Sequence, residues 1–204
     1  RALDAGAAVN VENANRHAIV RRALNVIIHR LRIEREEDIV VDLSHALVDL
    51  TPHIESCENV CAAMEAVATL ARADDVRAMV DVKCVRILCD RAIALNDDTV
   101  TKSCENAYYM LQGYAMRHRR QAMRVAGVMA CGALARVHTV RCPKSRVHAD
   151  YADTILPLSV AVHPYVRHSC CASISAHMKS RLALGLMTFP PADAKLLSPM
   201  CVCQ

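Results

Sequence analysis

The sequence predicts an all-α chain, a right-handed α-solenoid of stacked helical hairpins or triplets, and three observations predict it. The first is an internal repeat. Ser56-Cys57-Glu58-Asn59 recurs 47 positions later as Ser103-Cys104-Glu105-Asn106, and at the same offset Val76-Arg77 is matched by Met123-Arg124, Cys84 by Cys131 and Met64 by Leu111. A period of roughly 40–47 residues with helix-type patterning is what stacked helical units produce. The second is the kind of apolar residue: these make up 53% of the chain, yet there is one Phe, five Tyr and no Trp. The interior is therefore built from Ala, Val, Leu, Ile, Met and Cys, sizes that suit close helix packing rather than sheets. The third is punctuation, since five glycines and seven prolines are too few to turn many strands.

Taken in order, the first helix is expected from about Asn15, where Val20, Ala23, Leu24, Ile27, Ile28 and Leu31 recur every three or four residues. Arg16, Arg21, Arg22, Arg30 and Arg32 fall mostly off that stripe and read as a solvated face. A second helix is expected over Glu34–Leu50, with Glu34, Glu36, Glu37 and Asp38 favourably placed at the positive end of its dipole and Ile39, Val40, Leu43, Ala46, Leu47 and Leu50 inward. Thr51-Pro52 stops it, because proline lacks the amide hydrogen and disfavours helix in the residue before it.

Ser56 is placed to cap the next helix, whose inward face is Cys57, Val60, Cys61, Met64, Val67, Ala68 and Ala71. Asp74-Asp75 is expected to open its partner, with Met79, Val80, Cys84, Ile87, Leu88 and Leu95 buried. Asn96-Asp97-Asp98-Thr99 forms a polar break and cap. The second copy has Val100, Cys104, Ala107, Leu111 and Tyr114 on one stripe and Met123, Ala126, Ala130, Leu134 and Val137 on the next. Gly127 and Gly132 lie inside that last helix, each costing about 1 kcal/mol against Ala, which predicts close approach of a neighbouring helix as compensation.

Cys142-Pro143-Lys144-Ser145 reads as a loop between units. Beyond it, residues 151–162 are helical in pattern with a break at Pro157, and Val166, Cys170, Ile174, Met178, Leu182 and Leu186 continue the period after Pro164. From Thr188 the pattern fails. The expected organisation is one helical-repeat domain over 1–187, in units of roughly 1–50, 51–97, 98–142 and 147–187, followed by a C-terminal tail or cap over 188–204.

By these residues the chain resembles the armadillo/HEAT class of helical repeats. Asp4-Ala5-Gly6-Ala7 is similar to the small-residue start of an armadillo unit, and Val20-Arg21-Arg22-Ala23-Leu24-Asn25-Val26-Ile27 to the segment of its last helix where Ala-Leu-x-Asn-Leu is common. Gly127 to Leu134 is a weaker echo. The chain departs from the family in lacking a regular Gly at each unit start and in unequal spacing, which leaves armadillo and HEAT both open. The resemblance implies a scaffold that recognises another macromolecule.

Net charge is +4, but it is unevenly placed. Up to Val140 there are 18 basic and 18 acidic residues, and from Asn106 to Ala149 there is no acid at all. That stretch carries Arg117, Arg119, Arg120, Arg124, Arg136, Arg141, Lys144 and Arg146, a candidate surface for an acidic partner or a phosphate backbone. The competing reading is a solvated rim balanced by acids such as Glu34 to Asp38. Few aromatics for base stacking, only Tyr108, Tyr109 and Tyr114, accompany it.

Eleven cysteines, an odd count with many inside helical patterns, read as reduced core thiols in an intracellular compartment, cytoplasmic or organellar matrix. No apolar run approaches the ~20 residues that span a bilayer. The first residue is Arg rather than Met, which fits a processed chain or a piece of a longer one. Zinc needs ligand pairs such as Cys-x-x-Cys, and neither these nor a nucleophile or phosphate-loop motif is present, so no metal, cofactor, small-molecule substrate or catalysis is expected. Lone histidines such as His53, His148, His163 and His168 read as structural or solvated. Cys201-Val202-Cys203-Gln204 loosely matches a prenylation box, which makes Cys201 a candidate lipidation point. The function expected is a non-catalytic scaffold or adaptor holding a protein partner in a multi-subunit assembly. The alternative is an RNA-binding helical-repeat protein of an organellar or ribonucleoprotein complex using the basic 117–146 region.

Overall fold

The computed structural model describes residues 2–72, 81–142, 145–147, 150–151 and 153, with side chains from Glu12 onward. These residues are helical with no strand: α1 (Ala2–Ile33), α2 (Glu37–Leu50), a 3-10 turn (Thr51–His53), α3 (Cys57–Arg72), α4 (Val82–Leu95), α5 (Asp98–Arg117) and α6 (Gln121–Arg141). Each even helix packs on the one before it. In addition α1 packs on α3, α3 on α5 and α4 on α6. Among the described residues no helix is long and apolar enough to cross a membrane.

Local chemistry sets most boundaries. Glu34 ends α1: its carboxylate accepts from the amides of Arg35 at 2.9 Å and Glu36 at 3.2 Å and pairs with Arg30 at 3.5 Å. Those amides hold its pKa below the usual carboxylate value. The chain therefore turns at Glu34, and α2 opens three residues later than the acidic run suggests, with only Glu37 and Asp38 in its first turn. α1 also starts at Ala2 rather than near Asn15. Thr51 is buried in the turn that follows α2, where its hydroxyl bonds the Leu47 carbonyl at 2.8 Å and contacts the Cys84 sulfur at 2.9 Å.

Ser56 caps α3 as expected, its Oγ accepting from the Asn59 amide at 3.3 Å. Residues 73–80, including Asp74, Asp75, Met79 and Val80, lie outside the described residues. Asp81 is the cap of α4 there, accepting from the Cys84 amide at 2.6 Å. Asn96, in the left-handed region with φ 57°, closes α4, and Asp97 starts α5 by accepting from the Val100 amide at 2.9 Å. Asparagine tolerates that backbone better than most residues do.

The core fills with small and medium side chains. Leu24, Met64, Leu88, Leu111 and Leu134 are fully buried, and Cys84, Cys89, Cys104 and Cys131 are buried thiols among them. All five stripe residues predicted for α5, and all five for α6, are buried. On α3 burial extends well beyond its stripe to Ala62, Ala63, Ala66 and Leu70, because α1, α4 and α5 all pack against it. Positions 47 apart match at the centre: Met64 and Leu111 are each 0% exposed.

At Gly127 α6 meets α5 closely. A Cβ there would lie 2.9 Å from the Cβ of Ala115 and 3.1 Å from its Cα, so backbone would have to move. The close approach expected from a mid-helix glycine is present at this position. Gly127→Ala is expected to destabilise by about 1–2 kcal/mol despite its better helix propensity, because overpacking outweighs a gain of about 1 kcal/mol. Urea denaturation checks this, and Ala115→Gly in the same chain should recover part of the loss. A variant as stable as the parent would show that the helices separate freely.

After Cys142, residues Val147, Asp150, Tyr151 and Asp153 have helical backbone. Val147 and Tyr151 are buried. The rest of the 147–187 unit, the tail and Cys201 lie outside the described residues.

Candidate functional site: an arginine-lined groove

An open groove of about 650 Å³ crosses α1, α3 and α5. α1 supplies Arg21 and Arg32, α3 supplies Cys61, Glu65, Thr69 and Arg72, and α5 supplies Ser103, Asn106, Tyr109 and Met110. Helical spacing explains the set. Cys61, Glu65, Thr69 and Arg72 recur every three or four residues, as do Ser103, Asn106 and Met110, so each helix offers one row to the same opening.

Three arginines and one carboxylate line it. Arg32 pairs with Glu65, and Arg21 donates to the backbone carbonyl of Glu58. The Arg72 Nε is 3.3 Å from the Met110 sulfur. A guanidinium carries five donors in a flat fork, so each keeps capacity for a carboxylate after the single contact described. At one end of the groove the Tyr109 hydroxyl donates to Asp150 at 2.6 Å, which with burial lifts the phenol to about 12. That bond ties the segment after the loop to α5.

The basic stretch of the second half is divided by the fold. Arg136 on α6 pairs with Asp90 on α4, and Arg141 lies 3.8 Å from Asp98 at the start of α5. Arg124 is half-buried, its Nε donating to the Ala115 carbonyl at 3.3 Å. Arg117, Arg119 and Arg120 are exposed together at the corner between α5 and α6, where His118 accepts from the Arg120 amide at 3.1 Å and its ring lies 4.9 Å from that of Tyr114. Arg146 is exposed near Tyr109, and Lys144 lies outside the described residues. α6 spans 21 residues, about 30 Å, so its two ends are roughly four Debye lengths apart in physiological salt. One sequence run has become a free corner and, at the other end, cations with acid partners. Those acids are Asp90 and Asp98, not the Glu34–Asp38 run, whose Glu34 is committed to Arg30.

The groove was missed in sequence because its arginines look like a solvated face of α1 when the helix is read alone. Only the packing of α1 on α3 and α3 on α5 lines them up with Arg72. The buried thiols are chemically quiet: burial raises Cys84 to about 11 and Cys104 to about 12, and pushes Cys89 and Cys131 upward as well. Among the described residues no group of three or more His, Cys, Asp or Glu is placed to hold a metal ion. In comparisons with known proteins, no family model, no curated protein and no solved structure matches this chain.

Proposed function

We propose that this chain is a non-catalytic helical-repeat scaffold that holds an acidic segment of a protein partner in the groove across α1, α3 and α5, within a larger assembly. In this reading α1/α2, α3/α4 and α5/α6 are successive hairpins of an armadillo- or HEAT-like solenoid, and the odd helices form its binding face. The observation that carries it is the row of Arg21, Arg32 and Arg72 brought to one opening by α1 and α3, with Glu65 as the lining carboxylate. Extended segments that cross several helices gain from many weak contacts, and arginine forks select carboxylates.

The RNA reading is favoured by one feature, the exposed trio Arg117, Arg119 and Arg120. Pairing of Arg136 and Arg141 works against a continuous phosphate track. A labelled Asp/Glu-rich peptide and a single-stranded RNA, titrated separately at low and moderate salt, distinguish the two. The peptide is expected to bind in a salt-dependent way and to lose about tenfold in affinity with Arg21→Ala plus Arg72→Ala, about 1.4 kcal/mol. RNA that binds more tightly, and is lost with Arg117→Ala, Arg119→Ala and Arg120→Ala, would replace the proposal. No peptide binding at low salt would end it.

A further inference from the structure

α1 has a second face that the core does not use. Val20, Leu24, Ile27, Ile28 and Leu31 are buried, while Ile19, Val26 and Ile33 are 68%, 61% and 55% exposed. These three recur every seven residues, which on an α-helix keeps them in one nearly straight row, on the far side from the buried stripe. Single exposed apolar residues are ordinary, but a regular row of three β-branched ones supplies one of the two heptad positions of a seam for another helix. It is separate from the groove, since Arg21 and Arg32 leave the helix about 120–140° round from the row.

The flanks of the row say what fits it. Arg22 and Arg30 lie on either side, both exposed, and from Arg16 to Arg32 α1 carries five arginines, two histidines and no acid. Arg30 has a helix-surface partner in Glu34, whereas Arg22 has no ion pair among the described residues. A second copy of this chain is a poor occupant. Antiparallel about Val26, it would set Arg22 against Arg30 of the other copy, and parallel it would set each arginine against itself. Like charges at flanking positions disfavour both pairings.

We propose that the Ile19–Val26–Ile33 row is a docking seam for an amphipathic helix of a protein partner whose own apolar row is flanked by Glu or Asp. Such a helix would bury the row and place carboxylates within reach of Arg22 and Arg30. The seam and the groove would engage different segments, so the proposal stands whether or not the groove is occupied.

The test uses the full chain and two designed helical peptides that share leucines at a and d, one with Glu and the other with Lys at e and g. The Glu peptide is expected to bind at least about tenfold more tightly than the Lys peptide, and Ile19→Gln plus Val26→Gln to weaken it about tenfold or more with an unchanged melting midpoint. Arg21→Ala plus Arg72→Ala should leave this binding intact, which separates it from the groove. Equal binding of the two peptides, no binding of the Glu peptide, or binding unaffected by the Gln substitutions overturns the proposal. So does a clear drop in melting midpoint, which would mean the row is covered by the chain itself. A self-association that the Gln substitutions abolish would instead assign the row to a second copy.

Discussion

Leu111→Ala is expected to lower the unfolding free energy by about 3 kcal/mol, within the range of roughly 2–5 kcal/mol for a fully buried leucine. The side chain is 0% exposed on α5, a helix held between α3 and α6. A cavity there has rigid neighbours on both sides, so it cannot collapse cheaply. Met64→Ala, 47 positions earlier and equally buried on α3, should cost a similar amount. Leu43→Ala, half-buried on α2, should cost about 1 kcal/mol, since less apolar surface leaves water there in the first place. Urea midpoints with unchanged slopes check the series. If Leu111→Ala costs no more than Leu43→Ala, the α3–α5–α6 packing described above is not what holds the fold.

The second large effect is a loss of stability in alkali. Buried Cys84 and Cys104 keep their protons to about 11 and about 12, against an ordinary value of 9.0, because burial penalises the thiolate. Above pH 9 the unfolded chain has released these protons while the folded chain still binds them, so stability falls as pH rises. The slope is about 1.4 kcal/mol per pH unit for each thiol, and it persists until the folded thiols themselves ionise. Stability is thus complete below pH 9 and lost between 9 and about 12, by several kcal/mol for the pair. Tyr109, raised to about 12 by Asp150, adds to the same trend from its ordinary value of 10.0 upward. Chemical denaturation on either side of pH 9 measures the slope, and Cys84→Ala with Cys104→Ala should make it shallower, the remainder coming from buried Cys89 and Cys131. A midpoint that does not move with pH would show that these thiols are reached by solvent.

Period and capping chemistry were readable without the structure. Ser56 and Asp97 begin helices through bonds to nearby amides, Asn96 ends one by its left-handed backbone, and the stripes of α5 and α6 name the residues that are buried. Where reading failed locally, a competing bond was responsible. Glu34 belongs by its run of acids to the start of α2, but its carboxylate caps the turn after α1 instead. On α3 the burial spreads past the single expected stripe, because three neighbouring helices leave it only a narrow solvent-facing row at Glu58, Glu65 and Arg72.

The helicity of the described residues, several helix ends and the core positions of α5 and α6 follow from bonds and spacings a few residues long, and so are legible in the sequence. Tertiary structure decided which charges are free. Arg136 meets Asp90 across 46 positions and Arg32 meets Glu65 across 33, pairings set by how α4 packs on α6 and α1 on α3. It also gathered Arg21, Arg32 and Arg72 into one groove, and left Ile19, Val26 and Ile33 outside the core. Helical periodicity shows that a helix has two faces; only the neighbours that pack on it decide which face meets water.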